Sequence, residues 1–193
     1  MRLSYLVRGF PGHPLHPPLT DATIGAYTTA TVLGILAFAG VSEGTLTRAW
    51  WLALLVGLGF TAFAALTGLV DWLSITWRSP LWWTATWHML SMLTATAFFA
   101  LSAVFGHDRY VAGEMGGKTF IATLIGFVAL TVGGWLGGAV VFTHGMRVLN
   151  LADESPQHAA LPGGPEKEEA EAWRPVARVS PRPAASFRGR TTA

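Results

Sequence analysis

Six histidines and no cysteine make imidazole the leading metal-donor side chain in this 193-residue sequence, and the histidines are not scattered evenly. His13 and His16 lie in Gly12-His13-Pro14-Leu15-His16-Pro17-Pro18-Leu19-Thr20-Asp21, directly ahead of the first long apolar run. His88 stands early in the third such run, and His144 closes the fourth in Thr143-His144-Gly145. Neutral imidazole suits iron, copper, zinc and nickel, and it is the axial ligand of many haems. Asp71 is the single carboxylate inside an apolar run, and an intramembrane ionisable group is a candidate functional residue by default.

The elements that must position these groups follow from hydropathy. The chain is 51% hydrophobic and 12% charged, against about 25% charged residues in soluble domains. Four windows are long and apolar enough to cross a hydrocarbon core: 22–41, 49–72, 82–105 and 120–143. We therefore expect an all-α, integral membrane four-helix bundle spanning residues 22–150. The Pro/His-rich lead-in, residues 1–21, is expected to be stiff, extended and non-helical, with Thr20 or Asp21 capping the first span. Residues 151–193 are dominated by Ala, Pro, Glu and Arg and have the composition of a disordered tail. Trp50 and Trp51 are expected to anchor the second span at an interface. Trp72, Trp77, Trp82, Trp83 and Trp87 are expected to form an aromatic belt around the second loop.

Four spans put the N-terminus, the second loop and the C-terminal end on one side of the membrane. His13, His16, Asp21, Asp71, His88 and His144 all fall on that side, whereas His107 falls on the other and His158 in the tail. Ser91, Thr84 and Thr94 are within helical reach of the His88 face. Arg2, Arg8, Arg78 and Arg147 on the N/C side, against Arg48, Arg109 and Lys118 opposite, point to cytoplasmic termini in a cell membrane. Gly133, Gly134, Gly137 and Gly138 form two overlapping G-x-x-x-G steps, suited to close helix contact within the chain or in a homo-oligomer.

Gly12 to Asp21, Gly-Leu-Val-Asp-Trp at 68–72, Trp-His-Met-Leu at 87–90, and Gly-Trp-Leu-Gly-Gly through His144-Gly145 resemble a bacterial membrane family, domain of unknown function 2231, over residues 12–150. The resemblance implies an HPLHP-like lead-in, an intramembrane histidine in the third span and His-Gly after the fourth, matching His13, His16, His88 and His144. Some relatives look fused to Rieske-type iron–sulfur domains, which implies redox company. This chain lacks the cysteines to hold such a cluster itself. Its hydroxyl-rich first span also departs from the bulkier aliphatic pattern of relatives.

Two functions remain open on these residues. In the first, His88 ligates a b-type haem with His16 or His144 opposite and His13 nearby, or three histidines with Asp71 hold one transition metal, in a subunit that serves a respiratory or other redox membrane partner. Asp21, Ser91 and Trp87 would support that site. In the second, the chain is a non-catalytic scaffold or accessory subunit in the lipid bilayer whose His/Asp cluster only fixes helix packing. Hydrolysis finds no G-x-S-x-G or H-E-x-x-H motif, transport no midplane carboxylate pair, and nucleic acid no basic stripe.

Overall fold

The computed structural model describes residues 5–10 and 12–148; the expected disordered tail and His158 lie outside the described residues. A short helix, α1 (Tyr5–Arg8), leads into a two-residue antiparallel hairpin of β1 (Gly9–Phe10) and β2 (His13–Pro14). Four long helices follow: α2 (His16–Phe38), α3 (Glu43–Leu73), α4 (Pro80–Ala112) and α5 (Gly117–Gly138). The last continues into a π-helical turn, Ala139–Thr143. All four helices are long and apolar enough to cross a membrane, so the expected four-span bundle is the fold.

The first span starts earlier than expected. Residues 16–21 are helical, with Pro17 and Pro18 in the first turn and Leu15, not Thr20 or Asp21, at the N-cap. First-turn N–H groups have no intrahelical acceptor, so proline costs nothing there. Thr20 instead turns its hydroxyl back to the carbonyls of His16 and Pro17, and Asp21 is exposed. The expected boundary at residue 21 thus falls inside α2. α4 likewise starts ahead of its expected window: the Ser79 hydroxyl accepts the Trp82 N–H at 3.1 Å, and Pro80 opens the helix.

α2 packs chiefly on α3, and α4 on α5; α3 against α4 and α2 against α5 close the ring. α2 therefore faces α4 across one diagonal, and α3 faces α5 across the other. The outer surface is apolar: Phe142, Trp135 and Val104 are 88%, 83% and 70% exposed, as helices facing hydrocarbon require. Inside, large side chains rest on glycine. Tyr27 lies over Gly57, Trp50 over Gly34, and Phe99 over Gly126. Tyr27 and Phe99 stack across the diagonal with ring centroids 4.0 Å apart. Many threonine hydroxyls are spent on carbonyls one turn back, for instance Thr31 on Tyr27 and Thr61 on Gly57, which spares those residues an unpaired donor in the bilayer; the buried Thr47 hydroxyl is an exception.

Trp50 is not an interfacial anchor. Because α3 begins at Glu43, Trp50 sits two turns inside the helix, wholly buried, with its indole N–H on the Thr123 hydroxyl at 3.2 Å. Of the five tryptophans expected around the α3–α4 loop, Trp82 is buried and meets Trp72, Trp77 and Trp83 at centroid distances of 5.6, 4.4 and 4.9 Å, while Trp87 is exposed and outside this cluster.

The two helical hairpins, α2–α3 and α4–α5, are built alike. One constant spacing in sequence separates His16 from His88, Tyr27 from Phe99 and Gly34 from Gly106. A second separates Gly57 from Gly126, Ala64 from Gly133 and Gly68 from Gly137. His16 and His88 play the same part in their own hairpins, imidazole on backbone, and Tyr27 on Gly57 matches Phe99 on Gly126, whereas Gly34 and Gly106 both face Trp50 of α3.

Candidate functional site

His16 and His88 meet at the end of the bundle where α2 and α4 begin. His16 is the first residue of α2, and its position is fixed from behind by the Leu15 N–H, which donates to the Arg8 carbonyl at 3.3 Å. Its Nδ1 lies 3.0 Å from the Ala64 carbonyl oxygen and 3.2 Å from the Thr67 hydroxyl, both on α3. His88, two turns into α4, has its Nδ1 2.7 Å from the Gly133 carbonyl oxygen on α5. The two ring centroids are 6.5 Å apart, and the ring planes stand at 86°. Both side chains are half-buried.

These contacts fix the tautomers. A carbonyl oxygen only accepts, so Nδ1 carries the proton in both rings. The Thr67 hydroxyl donates to Phe63 and Ala64, so it too can only accept from His16. Neutral His16 and His88 therefore each keep an unprotonated Nε2, the nitrogen a metal needs, with Nδ1–H held by a backbone carbonyl as in oriented ligand histidines.

The glycines that follow each carbonyl by one helical turn make room for the rings. A Cβ on Gly68 would stand 2.6 Å from His16 Cε1, and one on Gly137 would stand 2.9 Å from His88 Cε1. Gly133 likewise admits Met92 and Ser91 of α4. Two of the four glycines in the G-x-x-x-G steps are therefore used within the chain, while a Cβ on Gly134 would meet nothing within 4 Å.

The other expected site residues are placed elsewhere. His144 follows the π-helical turn, and its Nε2 is 2.9 Å from the Thr84 hydroxyl. That hydroxyl also lies 3.1 Å from the Pro80 carbonyl, and His144 Nε2 is already engaged by it. His13 is exposed in β2, Trp87 is 58% exposed, and Ser91 packs its Cβ at Gly133. Asp71 pairs with Arg147, not Arg78: its Oδ1 accepts from Arg147 Nη2 at 2.7 Å, and Arg147 Nη1 donates to the Arg8 carbonyl at 3.0 Å. Among the described residues, no three His, Cys, Asp or Glu side chains are grouped to hold a metal ion, so the set of His16, His88, His144 and Asp71 is not assembled.

Sequence reasoning did not single out Gly68, Thr67 or the Ala64 and Gly133 carbonyls, nor Arg147 as the partner of Asp71. The signal available for Gly68 was its place one helical turn before Asp71 on the same face of α3.

No curated protein and no solved structure matches the chain. The family model described as "Predicted membrane protein (DUF2231)" matches residues 12–150, which include both imidazoles and the glycines beside them, and the chain belongs to that family.

Proposed function

We propose that the protein is an electron-transfer subunit of the cell membrane in which His16 and His88 are the two axial ligands of a b-type haem. The observation that carries this reading is the imidazole pair: both Nε2 atoms unprotonated, both Nδ1–H groups on backbone carbonyls, and centroids 6.5 Å apart. Metal–imidazole bonds of about 2.0 Å on opposite sides of one ion, with about 1.1 Å from each nitrogen to its ring centre, call for a centroid separation of about 6.2 Å. The observed 6.5 Å is close to that separation and supports the reading. A bound haem would supply a one-electron couple between ferric and ferrous iron.

The chain's own residues do the rest. His16 and His88 would hold the group from helices on one diagonal, α3 and α5 flank the site, and the stacked Tyr27 and Phe99 fill the core deeper in the bundle. The backbone carbonyls raise the basicity of each imidazole and fix its rotation. Electrons would pass to a redox partner in or beside the membrane. The site and both termini then face the cytoplasm by the positive-inside count, which labelling of single introduced cysteines reads directly on this cysteine-free chain.

The test is an optical spectrum of protein expressed with sufficient haem and purified in detergent, oxidised and then dithionite-reduced, with metal analysis. A Soret band that shifts on reduction, sharp α and β bands, and their loss in His16→Ala and His88→Ala but not His144→Ala are expected. A colourless wild-type protein, or a spectrum indifferent to both substitutions, overturns the proposal.

One observation favours a scaffold instead: the same Nδ1 bonds tie α2 to α3 and α4 to α5, as purely structural histidines would. On that reading His16→Ala and His88→Ala lower bundle stability and change no chromophore.

A further inference from the structure

The two imidazoles are seated by the same device, used twice. In each hairpin a helix carbonyl takes the Nδ1–H, and the residue one turn further on is glycine: Ala64 with Gly68 for His16, and Gly133 with Gly137 for His88. The seat is tight. A Cβ at Gly68 would lie 2.6, 3.1 and 3.2 Å from Cε1, Nδ1 and Nε2 of His16, so the ring edge rests on the α3 backbone itself. At Gly137 the corresponding distances to His88 are 2.9, 3.0 and 3.8 Å. Each ring is fixed at one point by a hydrogen bond and along one edge by the glycine, which leaves it no freedom to turn about its Cβ–Cγ bond without losing one or the other. The outcome is an angle of 86° between the planes.

We propose that Gly68 and Gly137 are positioning residues that hold the two axial imidazole planes perpendicular. This rests on the reading of His16 and His88 as ligands of one iron. The consequence is electronic. Each imidazole π system mixes with the iron dπ orbital perpendicular to its plane. Parallel planes act on one dπ orbital and separate it from the other, whereas perpendicular planes act on both equally and leave them nearly degenerate. Ferric iron held in this way keeps orbital angular momentum, and its low-spin resonance is strongly anisotropic. Because imidazole orientation is one of the protein's levers on a haem, the glycines also bear on the reduction potential.

The experiment is low-temperature electron paramagnetic resonance on the oxidised, haem-loaded full chain, beside Gly68→Ala, Gly137→Ala and Gly134→Ala. The wild type is expected to give a single strongly anisotropic low-spin line at low field. Gly68→Ala and Gly137→Ala should replace it with a rhombic three-line spectrum as one ring turns away, with a shifted midpoint potential. Gly134→Ala, whose Cβ meets nothing within 4 Å, should leave line and potential unchanged. A rhombic wild-type signal in a protein with a Soret band overturns the positioning proposal and leaves axial ligation standing, as does an unchanged signal in both alanine variants. Absence of a Soret band overturns both. Should the alanine variants fail to fold, the wild-type line shape alone still decides.

Discussion

Replacing either partner of the Asp71–Arg147 pair should destabilise the bundle far more than a surface ion pair would. The side chains are only 10% and 15% exposed, the Nη2–Oδ1 distance is 2.7 Å, and Arg147 also reaches the Arg8 carbonyl. Breaking a buried pair by removing one partner costs about 3–5 kcal/mol, because the survivor keeps its charge without compensation. The residual exposure of both groups places the expectation at the lower end, about 3 kcal/mol for Asp71→Asn and about the same for Arg147→Gln. At about 1.4 kcal/mol per decade, that is a loss of over 100-fold in the folding equilibrium. The double variant has no orphaned charge, so its cost should stay near 3 kcal/mol rather than double, giving a coupling of about 3 kcal/mol. Reversible unfolding in mixed detergent–SDS micelles, run as a double-mutant cycle, measures all four proteins. Single costs below about 1 kcal/mol, or additive costs in the double variant, would show a solvated pair and refute the reasoning.

Two further outcomes follow from the packing. Gly57→Ala puts a Cβ 2.5 Å from Tyr27 Cε1 in the core and should cost about 1–3 kcal/mol through overpacking, whereas Gly59→Ala, with nothing within 4 Å, should be neutral or gain up to about 1 kcal/mol of helix propensity; thermal unfolding in detergent separates them. In ligand-free protein labelled with nitrogen-15 at histidine, His16 and His88 should both show the Nδ1–H form. An Nε2–H form at either residue would contradict the hydrogen bonds that define the imidazole pair.

Architecture was written in the sequence where one force dominates. Apolar runs near membrane length, with Asp71 the single charge among them, leave no alternative to spanning helices, and all four are present. Helix starts were harder. Pro17 and Pro18 read as breakers in isolation, yet a first turn has no intrahelical use for their missing N–H groups, so α2 begins before them. Trp50 carried the signature of an interfacial anchor, but its fate depended on where α3 begins and on Gly34 and Thr123 in other helices. For the site, topology brought His16, Asp71, His88 and His144 to one end. Which of them would face one another depended on rotation about the helix axes, and that is set by contacts with glycines and carbonyls rather than by any residue with evident chemistry. Arg147 illustrates the limit: its backbone takes φ 58°, a left-handed turn after Gly145 at φ 67°, and that turn aims the guanidinium at Asp71. The duplicated spacing was also present in the sequence, but glycine, alanine and one histidine per half are too common to announce a repeat.

The division into two like hairpins makes the site a seam. Each hairpin carries an imidazole already pinned to its own second helix, so neither needs the other to orient its ligand atom. What neither possesses alone is a second imidazole. Any ligand gripped by both histidines therefore binds the docked bundle and not the separated hairpins, and its binding free energy is added to the docking equilibrium. At 100 times its dissociation constant such a ligand stabilises the docked state by about 2.7 kcal/mol. Docking of the two hairpins and occupancy of the seam by such a ligand would in that sense be one equilibrium.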